Sequence, residues 1–174
     1  RPYAFIYNRR KFINKINIKE KNNITYTMLN YTYGTNGIKV PTGKDYLVNV
    51  WPCTGNDPST DTKYQEYKSK IKGDINRVRN KVDLLIVAMH WGVEYTYTPT
   101  SYQIDMANFL EKQGVDIIIG THPHVVMPVT YINDTLVIYS LGNFLSAQET
   151  NIDYNTTVGL LSTVKITKHI DKNN

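Results

Sequence analysis

Two short apolar runs, each ending in histidine, constrain this chain more than any other feature: Asp83-Leu84-Leu85-Ile86-Val87-Ala88-Met89-His90-Trp91-Gly92 and Asp116-Ile117-Ile118-Ile119-Gly120-Thr121-His122-Pro123-His124. A run of this length bounded by turn residues fits a parallel strand covered on both faces. Between them, residues 101–113 read as one amphipathic helix with Ser101 as N-cap, Ile104, Ala107 and Leu110 along one stripe, and Gly114 at the end. Strand, helix and strand make a β-α-β unit, whose strands are parallel and whose crossover is right-handed. As direct neighbours the strands lie roughly 4.8 Å apart, so His90, His122 and His124 emerge at one carboxyl-terminal edge. Open α/β sheets bind ligands at that edge, and converging imidazoles there suit a metal or an anionic substrate.

The 174 residues suit one domain, expected over residues 1–167 with a polar tail at 168–174. Cys53 is the only cysteine, so no internal disulfide forms, which leaves the redox compartment open. The net charge of +5 favours an acidic partner. Its basic clusters, Arg9-Arg10-Lys11 and the lysines of residues 15–21, lie outside any nucleic-acid motif and read as a solvated hairpin and edge strand, so nucleic acid is not the expected partner. No stretch approaches the roughly eighteen apolar residues of a membrane span. Because Arg1 is not an initiator methionine and residues 2–7 read as a strand, the chain is expected to begin in mid-fold, as part of something longer.

Further strands are expected over residues 12–18 and 24–31, joined by the polar Lys19-Glu20-Lys21-Asn22-Asn23, and over 44–50, 125–130, 136–139 and 158–166. Asn133-Asp134-Thr135 suits a tight hairpin turn, and residues 148–157 read as a polar loop. A second helix starts near Thr62, with Tyr64, Tyr67, Ile71, Ile75 and Val78 on one face and Gly73 weakening its middle.

His122 and His124 stand two residues apart, so an extended backbone points both rings to one side, with Pro123 stiffening the pair. A metal site normally adds a carboxylate and groups that orient the rings. Glu94, in the loop after His90, is a candidate general acid or base, or an ordinary surface carboxylate. Asn143 ends a strand in a Gly-Asn turn, and turn chemistry alone accounts for it. His169 lacks a partner in sequence, and Trp91 reads as core.

His90-Trp91-Gly92 with Glu94, Gly120-Thr121-His122-Pro123-His124-Val125, Ser140-Leu141-Gly142-Asn143-Phe144 and Tyr31-Thr32-Tyr33-Gly34-Thr35-Asn36-Gly37 together resemble the bacterial capsule synthesis proteins of the CapA type, relatives of the calcineurin-like metallophosphoesterases. The resemblance implies an α/β fold, a metallophosphatase-like β-sandwich flanked by helices, whose amino-terminal strands and their acidic and Asn-His ligands do not precede Arg1. It implies a divalent metal, Mn, Zn or Fe, on His90, His122 and His124, with Glu94 catalytic and Tyr33, Asn36 and Asn143 at the substrate. Thr121 between Gly120 and His122 departs from the closing Gly-His-x-His element of that pattern, which leaves open which histidine binds metal directly.

The function implied is poly-γ-glutamate capsule synthesis or export, outside the cytoplasm and held at the membrane by a segment not in this chain. The partner is then the anionic polymer or its synthesis complex, and missing strands leave a sheet edge open to a homodimer. Two other readings stand beside it: a metal-dependent phosphoesterase, and a non-enzymatic polyanion-binding or assembly module.

Overall fold

The structure is a computed structural model that describes residues 17–51, 57–146, 148 and 154–170. The expected strand at residues 2–7, most of that at 12–18, and Cys53 lie outside the described residues. Six strands form one sheet: β1 (Lys19–Lys21), β2 (Ile24–Thr32), β3 (Leu84–His90), β4 (Ile117–Thr121), β5 (Val129–Ile132) and β6 (Thr135–Ile138). Their order is β1-β2-β3-β4-β6-β5. The inner four are parallel, and β1 and β5 pair antiparallel at the two edges.

Helix α1 (Thr62–Val78) leads into β3, and α2 (Ser101–Lys112) crosses from β3 to its neighbour β4, which is the anticipated β-α-β unit. The stripe on α1 holds: Tyr64, Ile71, Ile75 and Val78 are buried, and Asp61 caps the helix by accepting from Tyr64 N. On α2 the cap is Thr100 rather than Ser101, because Thr100 and Gln103 form a reciprocal capping box. That box turns Gln103 inward, so Gln103, Met106, Ala107 and Leu110 are buried while Ile104, expected in the stripe, is 46% exposed. Gly114 ends the turn at φ 78°, a left-handed geometry that favours glycine.

One face of the sheet, with Leu85, Val87, Met89, Ile118 and Val137, shares a core with Ile71, Ile75, Met106 and Leu110 of the helices. The opposite face carries a smaller cluster of Ile117, Leu136 and Ile138, with the half-buried Leu84, Ile86 and Ile119 beside it. Strand β3 accordingly alternates half-buried and buried residues, where cover on both faces was expected. Among the described residues there is one sheet, and the second sheet of a sandwich is not among them.

Several strand boundaries differ from expectation for local reasons. Lys19-Glu20-Lys21, expected as a connector, is itself paired with β2, and only Asn22 and Asn23 turn, at φ 52° and 61°. Asparagine tolerates that left-handed geometry, and two such residues make a hairpin turn whose twist matches the strands. Residues 44–50 hold a 3-10 turn, Asp45–Leu47, whose entry is tightened by Lys44 N to Pro41 O and Leu47 N to Lys44 O bonds; Val50 alone bridges Thr32. The strand expected at 125–130 shifts to β5, with Asn133 at φ 48° in the tight turn to β6. Residues 158–166 make no ladder among the described residues, only a bridge from Gly159 to Gly142.

The amino-terminal ends of the inner strands are clamped by Arg79. Its guanidinium donates to Asp116 Oδ2 at 2.6 Å and to the carbonyls of Gly114, Val82 and Asp83. Asp116 Oδ2 also accepts from Leu85 N at 2.6 Å, so one carboxylate ties β3 to the start of β4. Nearby, Lys168 and then the amide and hydroxyl of Thr25 hold the Asp83 carboxyl down to about 2.

At the other end, Gly120 lets Trp91 lie against the sheet, where its indole donates to Tyr139 O at 2.9 Å and is fully buried. A Cβ on Gly120 would meet Tyr139 O at 2.0 Å and Trp91 Nε1 at 2.5 Å, and a backbone carbonyl does not step aside as a flexible side chain can. Gly120→Ala is therefore expected to cost about 3 kcal/mol or more. Thr100→Ala, which removes only the α2 cap, is expected to cost about 1 kcal/mol. Urea denaturation of both variants checks the order, and a Gly120→Ala midpoint no lower than that of Thr100→Ala would contradict the packing argument.

Candidate metal centre

Parallel register brings Thr32, His90 and Thr121 side by side as the last residues of β2, β3 and β4. Beyond Thr121 the chain bends rather than extends: His122 has φ 105° and His124 φ 61°. The expected extended presentation of the pair is thus replaced by a turn through two strained non-glycine residues, a geometry that clusters at functional sites. The turn nonetheless delivers both rings to the edge. His90 and His122 have ring centroids 4.6 Å apart, and His122 and His124 6.1 Å apart. Tyr33 closes one side, stacked on His90 at 5.5 Å and tilted against His122 at 4.6 Å.

Glu94, His122 and His124 each offer a ligand atom, all within 4.8 Å of one another, and Glu94 Oε1 lies 4.0 Å from His124 Nε2. Donors on one zinc ion at about 2.1 Å lie no more than about 4.2 Å apart, so a small rotamer change closes this set. Two imidazole nitrogens and a carboxylate oxygen suit zinc, manganese or iron. His90 stands beside this group rather than within it, with its Nδ1 3.0 Å from Thr32 Oγ1. Burial, then the neighbouring His122 and His124, pushes the His90 pKa down to about 4; burial, then His124, does the same for His122. Both rings are neutral near pH 7, the form that can ligate.

The other candidates fall differently. Asn143 has its amide engaged inside the protein: Oδ1 meets His124 Nδ1 at 2.8 Å, and Nδ2 donates to Gln148 Oε1 and Thr156 O, each at 2.9 Å. Asn36 sits exposed in a turn at φ 50°, and no described contact links it to the rings. His169 is exposed, as expected, and Trp91 belongs to the core.

Three residues escaped sequence reasoning. Thr32 reaches His90 only through strand register. Tyr95, at φ 60° with its N–H on Pro123 O, stacks on His124 at 6.1 Å. Gln148 donates to the Tyr95 hydroxyl at 3.1 Å, joining the two loops that flank the site. The aromatic next to Glu94 was the one available signal.

Unfolded histidines titrate near 6.5, whereas these two do so near 4. Between those values the unfolded chain binds more protons than the folded one, so the metal-free protein loses stability as pH falls from about 6.5 to about 4. Asp83 contributes only below that window. Denaturation midpoints in chelator are expected to decline across it and to decline less for His90→Asn. A flat midpoint in the parent protein would count against the buried neutral rings.

The family described as "Bacterial capsule synthesis protein PGA_cap" matches residues 6–148. The "PGA biosynthesis protein CapA" of Bacillus subtilis (strain 168) is 40% identical over 74 residues, 42% of this chain and 20% of that protein. The "Capsule biosynthesis protein CapA" of Bacillus anthracis is 39% identical over 70 residues, 40% of this chain and 17% of that protein. The matched segments thus span about a fifth of these relatives. No helix among the described residues is long and apolar enough to cross a membrane. With the family match running from Ile6 to Gln148, the chain belongs to the bacterial capsule synthesis protein family PGA_cap.

Proposed function

We propose that this chain forms the histidine-bearing part of a poly-γ-glutamate capsule synthesis or export protein, with a divalent metal, Mn, Zn or Fe, held at the strand edge. The observation that carries this reading is the meeting of Glu94, His122 and His124 beyond β3 and β4 in a member of a capsule synthesis family. His122 and His124 supply nitrogen donors, and Glu94 contributes a carboxylate oxygen. That role for Glu94 takes precedence over acid–base work, because a coordinated carboxylate is a weaker base. His90 flanks the set, and Tyr33 walls it from solvent on one side.

A divalent cation bound there supplies Lewis-acid polarisation of an amide or phosphoryl oxygen. The chain's own part is to keep His90 and His122 neutral and to hold the donors in the segments that leave the ends of β3 and β4. The basic balance of the chain suits an anionic polymer. The second sheet of the metallophosphatase-like sandwich is assigned to the face bearing Ile117, Leu136 and Ile138. Placement outside the cytoplasm, at the membrane through a segment not in this chain, goes with the same reading. For pairing with a second copy, β5, with exposed Val129 and Tyr131, is the edge available among the described residues, since the charged Lys19-Glu20-Lys21 of β1 opposes strand addition.

Metal analysis of the purified chain tests the centre. About one divalent ion per chain is expected, falling by more than half in His122→Ala and Glu94→Ala, while His169→Ala keeps it. Unchanged stoichiometry in His122→Ala removes the centre. Chelator-sensitive turnover of an aryl phosphate would move the assignment to a phosphoesterase.

A further inference from the structure

The hydrogen bonds behind two of the rings determine where their protons sit. Thr32 Oγ1 donates its single proton to Gly34 O at 2.7 Å, and a backbone carbonyl can only accept. The hydroxyl therefore presents lone pairs to its other neighbours, Gly34 N at 3.3 Å and His90 Nδ1 at 3.0 Å. The proton on the second of these lines belongs to the ring, so the neutral His90 carries Nδ1–H and leaves Nε2 bare.

The same reasoning applies at His124 through a different group. Asn143 Nδ2 donates to Thr156 O, again an acceptor only, which fixes which end of the amide is which. The atom facing His124 Nδ1 at 2.8 Å is then the amide oxygen, and it requires Nδ1–H. His124 Nε2 is left bare on the side of Glu94 Oε1, 4.0 Å away. Two backbone carbonyls, from loops far apart in sequence, thus specify one tautomer at both rings.

We propose that Thr32 and Asn143 are positioning residues that lock His90 and His124 as Nδ1–H tautomers, so that His124 presents a bare Nε2 to a divalent cation shared with Glu94 and His122 while His90 keeps its own Nε2 bare beside the set, with Gly34 O and Thr156 O as the fixed acceptors behind them. This rests on the reading of the strand edge as a metal centre, and it reassigns Asn143 from substrate contact to ligand orientation. Acceptors that orient a ligating imidazole from behind are worth about 10- to 100-fold in metal affinity.

Long-range proton–nitrogen correlation spectra of the full chain, labelled with nitrogen-15 histidine and held metal-free at about pH 7.5, read the tautomers directly. Nδ1–H is expected at His90 and His124. Thr32→Val and Asn143→Ala should each mix the tautomers of their own ring, and Asn143→Ala should weaken Zn2+ binding, read by calorimetry, about 10- to 100-fold. Thr32→Ser and Asn143→Asp, which keep an acceptor, should preserve Nδ1–H. An Nε2–H signature at either ring of the parent chain overturns the proposal even if a variant fails to fold, and so does an Nδ1–H signature unchanged in Thr32→Val or Asn143→Ala. Rings that hold Nδ1–H in a protein that does not bind Zn2+ support this assignment and sink the metal-centre reading instead.

Discussion

The parallel pairing of β3 between β2 and β4 is the constraint on which the site depends. Register in a parallel ladder is set along the whole strand, so the contacts that align Leu85 with its neighbours at one end also decide what stands beside His90 at the other. A slip of one residue would turn His90 to the opposite face and remove Thr32 from its Nδ1. The apolar alternation of β3 opposes such a slip, because it would expose Leu85, Val87 and Met89, all at most 1% accessible.

Polar groups reinforce the same register from both ends. Arg79 and Asp116 tie the start of β3 to the start of β4. At the functional end, the Trp91 indole crosses Gly120 to reach Tyr139 O, fastening the segment after β3 to the strand region after β6. The centre is then finished by loops: Tyr95 over His124, Asn143 behind it, and Gln148 between the two. Glu94, His122 and His124 stand in the segments just beyond β3 and β4, and the flanking loops orient them.

Where local signals and tertiary demands agreed, the chain was legible. The stripe of α1, the β-α-β unit and the turn at Asn133 depend on periodicity and turn chemistry, which act over a few residues. On α2, Ala107 and Leu110 are buried as expected but Ile104 is not, because a capping box between Thr100 and Gln103 turns Gln103 inward in its place. Residues 44–50 and 158–166 have strand-like composition, but a strand needs a neighbour to pair with, and among the described residues they make only isolated bridges. His122 and His124 reached the edge through left-handed backbone geometry that a Thr-His-Pro-His sequence does not announce.

By itself the amino-acid sequence determined the strand-helix-strand unit, its direction, and the gathering of three histidines at one edge, since apolar periodicity and the handedness of crossovers operate within a single segment. Tertiary structure alone decided that Glu94 joins His122 and His124, that His90 stands beside them, and that Thr32 and Asn143 sit behind the rings. Those pairings join residues 19 to 58 positions apart, and only the register of the sheet and the closing of its loops bring such groups within hydrogen-bonding range.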